Sequence, residues 1–65
     1  MSIGQEIREI RKRKGITLLD IEAKTGIGNG YLSRLERGQY SPSIDTLERI
    51  CEAIGAEIKI EEIGD

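Results

Sequence analysis

The stretch Gly26-Ile27-Gly28-Asn29-Gly30-Tyr31-Leu32-Ser33-Arg34-Leu35-Glu36-Arg37-Gly38 places the tightest limit on what this chain can fold into. It reads as a tight turn feeding a short helix that a second glycine stops. Tyr31, Leu32 and Leu35 fall at i, i+1 and i+4, a spacing that gathers them on one buried face. The face left over carries Asn29, Ser33, Arg34 and Arg37, whose side chains offer the donors and acceptors that base edges and phosphates require.

Three more helices surround that stretch. Ser2 with Gln5 forms a capping-box pattern, Ile3, Ile7 and Ile10 follow at i, i+4 and i+7, and Gly15 ends a helix over about residues 3–14. Arg11 falls close to its apolar stripe and so needs an acid as partner. Thr17 with Asp20 repeats the capping signature and opens a helix through about residue 24. Leu18, Leu19, Ile21 and Ala23 exceed what one face of so short a helix requires, so one of the two leucines is expected at the surface. Thr25-Gly26-Ile27 fits only a sharp turn, with Gly26 free to take positive φ and Ile27 plugging the angle. Gly28 is then the cap of a third helix over about residues 29–37. After the loop Gln39-Tyr40-Ser41-Pro42, Ser43 opens a fourth, which Gly55 stops. Its stripe of Ile44, Leu47, Ile50, Cys51 and Ile54 supplies much of the expected core, and Cys51 reads as a small buried apolar residue.

Beyond Gly55 the period changes. Ala56, Ile58 and Ile60 alternate with charges, which predicts a strand over about residues 57–61, against a competing helix that would align Ala56, Ile60 and Ile63. No second strand candidate exists in the chain, so the expected partner is the same strand of another copy, with Ile58, Ile60 and Ile63 as dimerisation residues. The expected architecture is all-α: a compact four-helix domain over residues 1–55, with a short C-terminal strand and tail over residues 56–65.

Composition bounds the rest. A chain of 65 residues makes one domain and buries only about 60% of the surface its unfolded form exposes. With no histidine and one cysteine, neither a metal framework nor an internal disulfide is expected, and capped helices and a partner chain must supply the stability. The net charge of −2 is unevenly placed. Residues 1–14 hold five cations against two acids, residues 15–40 hold three of each, and residues 41–65 hold two cations against seven acids. A basic face with an acidic part pointing away is compatible with a polyanionic partner. No signal pattern or apolar run of about 20 residues is present, so a cytoplasmic location without membrane contact is expected. No nucleophile has a base partner and no acids form a recognisable pair, so no enzyme is expected and no cofactor.

Gly15-Ile16-Thr17, Gly26-Ile27, Tyr31 to Gly38, Pro42-Ser43, Leu47 and Ala53-Ile54-Gly55 follow one another at spacings that resemble the Cro and phage-repressor class of helix-turn-helix domains. The resemblance covers about residues 3–55 and implies a lambda-repressor-like fold. Residues 17–24 would be the positioning helix and residues 28–37 the recognition helix, which in this class enters the major groove. It implies base contacts from Asn29, Gly30 and Arg34 with Ser33 beside them, and phosphate contacts from Thr17, Arg37, Gln39, Tyr40 and Ser41. It also pairs Arg11 with Glu36 in a structural ion pair, which supplies the acid that Arg11 needs. Three positions depart from the family pattern. Leu18 stands where a glutamine commonly bonds a phosphate, Glu22 where a small residue sits at the helix crossing, and Gly28 where a hydroxyl residue caps the recognition helix. Glu22 is expected to open that crossing or to point its charge at solvent.

The function so implied is a homodimeric, sequence-specific regulator on a palindromic operator in double-stranded DNA, acting as a repressor. Two alternatives stand beside it: the antitoxin of a toxin-antitoxin pair that autoregulates its operon, and a degenerate helix-turn-helix module for protein–protein contact.

Overall fold

The computed structural model describes residues 2–56. They form four helices: α1 (Ile3–Arg13), α2 (Leu18–Thr25), α3 (Asn29–Glu36) and α4 (Ile44–Ile54), so the described part is all-α. The expected strand with Ile58, Ile60 and Ile63 lies outside the described residues.

Each helix is set by the residues at its ends. The Ser2 hydroxyl accepts the Gln5 backbone N–H at 3.3 Å while the Gln5 side chain accepts the Ser2 N–H at 3.4 Å. Thr17 and Asp20 make the same reciprocal pair at 3.1 and 2.9 Å. Ser43 caps α4 by accepting the Thr46 N–H at 3.2 Å. α3 alone has no side-chain cap, because Gly28 precedes it. At the turn between α2 and α3, Gly26 takes φ of 79°, a left-handed conformation that a side chain would strain.

Ile7, Ile21, Leu32, Leu35, Ile50 and Ile54 are buried together, so every helix contributes to one core. Ile10, Ile16, Leu18, Ile27, Leu47 and Ala53 pack around it half-buried. Fully burying a side chain of this size stabilises by about 1.5–3 kcal/mol. Cys51 is buried as expected, and burial pushes its thiol pKa up.

Three apolar positions depart from expectation. Tyr31, expected on the buried face with Leu32 and Leu35, is 37% exposed. The buried arc of α3 runs from Leu35 through Leu32 to Glu36, and Tyr31 lies about 40° outside its edge. Ile44 and Ile3, the first residues of their stripes, are 58% and 40% exposed. Of the two leucines opening α2, Leu19 is the surface residue at 65% exposure, while Leu18 packs against the core.

The helices also lock to one another through polar contacts. The Lys14 ammonium donates to the carbonyls of Ile54 and Gly55 at 2.8 and 3.0 Å, closing the C-terminal end of α4. Arg49 donates to the Thr25 carbonyl at 2.8 Å and does the same for α2. Both place a cation on carbonyls that a helix end leaves without partners. α1 crosses α3 so closely that a Cβ on Gly4 would overlap the Leu35 carbonyl oxygen.

Candidate nucleic-acid interface

The geometry of α3 begins with what holds it down. Leu32 and Leu35 point into the core at 1% and 0% exposure, and Glu36 follows them inward at 6%. A buried carboxylate is costly unless paired. Arg11 meets it with two parallel bonds, Nε to Oε2 at 2.8 Å and Nη2 to Oε1 at 3.0 Å. The third donor of the same guanidinium, Nη1, bonds the Ile16 carbonyl at 3.0 Å, so one side chain fastens α1, the turn before α2, and α3. The hydrogen bonds it donates to Glu36 hold the Arg11 pKa above its ordinary value. The expected ion pair is therefore present, and its role is to fix the orientation of α3.

With the inner face so committed, the outer face of α3 is free. Asn29, Gly30 and Arg34 are exposed, and nothing lies within 4 Å of where a Gly30 Cβ would be. Ser33 shares their side of the helix but is half-buried. It lines a cleft of about 330 Å³ with Arg8, Arg11, Lys12, Leu18, Glu36 and Arg37. Glu36 is neutralised by Arg11, so Arg8, Lys12 and Arg37 leave the cleft with a positive balance. Leu18, in the place of the family's glutamine, forms part of its wall.

The loop after α3 lies beside this face. Gln39, Tyr40 and Ser41 are exposed, and the Tyr40 ring stacks on Tyr31 with centroids 5.3 Å apart and planes 11° from parallel. Offset stacking of this kind contributes about 0.5–1.5 kcal/mol beyond area burial. The Tyr40 hydroxyl is 3.4 Å from Arg34 Nη1, a long contact that places the guanidinium next to the loop. Thr17 is exposed at the start of α2, and its hydroxyl accepts the Asp20 N–H while keeping its own proton to donate. Asp20 in turn accepts the Thr17 backbone N–H, and chiefly for that reason its carboxyl pKa lies below the ordinary value.

Of the two expectations for Glu22, the opened crossing does not occur, since α2 and α3 pack with Ile21, Leu32 and Leu35 fully covered, and Glu22 makes its hydrogen bond at the exposed surface. It is half-buried, and its Oε1 accepts Asn29 Nδ2 at 2.7 Å. Sequence reading also missed the tyrosine stack and the close approach at Gly4. A glycine in the first turn of an otherwise sound amphipathic helix is the signal that could have found Gly4.

Two helices joined by a sharp turn, the second anchored on one face and bare on the other, define a helix-turn-helix domain. A sequence model of the helix-turn-helix family matches residues 7–60. The chain is 36% identical over 58 residues to the immunity repressor protein of Bacillus phage phi105, covering 89% of this chain and 40% of that protein. It is 39% identical over 57 residues to the HTH-type transcriptional regulator SinR of Bacillus subtilis, covering 86% of this chain and 51% of SinR. It is 38% identical over 53 residues to the HTH-type transcriptional regulator y4dJ of Sinorhizobium fredii, at 82% and 69% coverage. Among solved structures, the clp gene regulator ClgR from C. glutamicum superposes with a TM-score of 0.79 at 39% identity, covering 83% of this chain and 70% of that one. The chain belongs to the Cro and phage-repressor type of the helix-turn-helix family. It spans about half the length, or less, of the phage repressor and SinR.

Proposed function

We propose that this chain is a sequence-specific DNA-binding domain of a transcriptional regulator, a repressor that acts in the cytoplasm by placing α3 in the major groove. The observation that carries this reading is the division of α3 into an inner face fixed by Leu32, Leu35 and the Arg11–Glu36 pair and an outer face of Asn29, Gly30 and Arg34 left open. Asn29 suits adenine N6 and N7, Arg34 suits guanine O6 and N7, and Gly30 permits close approach. Ser33 sits beside them at the mouth of the cleft. Thr17, Arg37, Gln39, Tyr40 and Ser41 flank this face and would bond phosphates, which position the helix without reading sequence.

Relatives named as a repressor and as transcriptional regulators support this reading over an antitoxin, a protein-contact module or an enzyme. A homodimer follows from the operator geometry this class uses. Two copies paired through the tail residues Ile58, Ile60 and Ile63 would read half-sites about 34 Å apart. The test is a selection of bound sites from random duplex DNA, followed by titration of the selected site at several salt concentrations. A palindrome whose affinity falls steeply with salt is expected. Failure to enrich any sequence, or tight salt-insensitive association with a protein instead, would overturn the reading.

A further inference from the structure

Glu22 is an acid beside the proposed base-reading face, where a negative charge opposes approach to phosphates, and among the described residues its carboxylate bonds the side chain of Asn29. We propose that Glu22 is the positioning residue that sets what Asn29 reads, restricting it to adenine and against guanine. This inference rests on the DNA-binding reading above.

The argument is one of donors and acceptors. An ionised carboxylate only accepts hydrogen bonds. The group that Asn29 turns toward Glu22 Oε1, 2.7 Å away, is therefore its NH2 and not its carbonyl. That orientation leaves Oδ1 and one remaining N–H to face outward. Adenine offers the matching pair in the major groove, N6–H as donor and N7 as acceptor. Guanine offers two acceptors, O6 and N7, and a thymine O4 is likewise an acceptor. Against guanine the same orientation can donate its remaining N–H to one acceptor but sets Oδ1 against the other, and turning the amide over to offer both donors would set Oδ1 against the Glu22 carboxylate, acceptor on acceptor. A lone asparagine on a helix surface turns freely, but this one is held from α2. The bond lies at the surface, but Glu22 is itself half-buried on α2, so one end of it is held by the motif.

The test compares wild type, Asn29→Ala, Glu22→Ala and Glu22→Gln in selections from random duplex DNA. Asn29→Ala identifies the base pair that Asn29 reads, as the one whose preference disappears. At that base pair wild type should favour adenine, and Glu22→Ala should lower the adenine-over-guanine ratio by about tenfold. Binding to non-specific duplex should stay at least as tight, because an acid has been removed from the interface. Glu22→Gln separates orientation from packing. Glutamine keeps the shape but can bond either end of the Asn29 amide, so the ratio should fall with it too, whereas a purely structural Glu22 would be rescued by it. In the free protein the Asn29 side-chain NH2 resonance should shift in Glu22→Gln. An unchanged adenine preference in both Glu22 variants, or an unmoved NH2 resonance, would overturn the proposal while leaving DNA binding intact. A wild-type protein that enriches no sequence would overturn the DNA-binding reading, and this one with it.

Discussion

The inner seam between α1 and α3 and the outer face of α3 use the same residue types to opposite ends. Arg11 in the seam has three of its donors bonded and is 12% exposed, while Arg34 on the outer face makes one long contact and is open to solvent. Gly4 in the seam is a glycine because a side chain would strike the Leu35 carbonyl, whereas Gly30 has open space where its side chain would be. Both glycines sit in the first turn of a helix. The seam spends its chemistry on fixing an orientation, and the outer face keeps its chemistry for another molecule. Substitution should therefore cost stability in the first region and binding in the second.

The largest effect is expected at Glu36. Glu36→Ala leaves the part-buried Arg11 guanidinium without its carboxylate, and breaking such a pair costs up to about 3–5 kcal/mol when it is fully buried. Urea denaturation should show it as a lowered midpoint, and in so small a domain the variant should be largely unfolded. Gly4→Ala is expected next, at about 1–3 kcal/mol of destabilisation from overpacking against Leu35. An unchanged Tm for this variant would contradict the close crossing of α1 and α3. Arg34→Ala should leave Tm unmoved and cost about 1–3 kcal/mol of discrimination at one base pair of a selected operator, measured by competition binding. A shift in stability there would break the contrast between the two regions.

Thr17→Ala should cost about 1 kcal/mol by removing a cap from α2. The same capping box gives stability a pH dependence. The Asp20 pKa is lowered in the folded protein, so the contribution of its carboxylate is present above the unfolded carboxylate value of about 3.9 and is lost as pH falls below it. Asp20→Asn should flatten that part of the acid unfolding curve. The smallest effect, and one of opposite sign, is expected for Gly30→Ala. With nothing to strike and a better helix former in place, it should stabilise by no more than about 1 kcal/mol. Gly4→Ala and Gly30→Ala thus make one chemical change with two signs.

Most of the fold was legible because local signals and periodicity agree. Ser2, Thr17, Ser43, Gly26 and Gly55 mark helix ends, and the i, i+4 isoleucines and leucines mark the core face. The Arg11–Glu36 pair was legible from the resemblance together with the need of a stripe-edge arginine for an acid. What escaped depends on where helices cross. Nothing local to Gly4 announces the Leu35 carbonyl, and nothing in Lys14 announces the end of α4 forty residues on. Glu22 and Asn29 are seven residues apart across a turn, and only the angle of that turn brings the carboxylate to the amide. Tyr31 was assigned to the core by hydrophobicity, and its partner proved to be the ring of Tyr40 in the following loop.

That ring pair gives the protein an optical property. The chain contains no tryptophan and no phenylalanine, and Tyr31 and Tyr40 are its only tyrosines. Every aromatic chromophore of the molecule therefore lies in a single stacked couple on the proposed interface. Near-ultraviolet circular dichroism and intrinsic emission, which in most proteins average over many sites, here originate from one contact. An unlabelled sample thus carries its own reporter of whether the loop stays closed on α3 or is displaced when a partner docks.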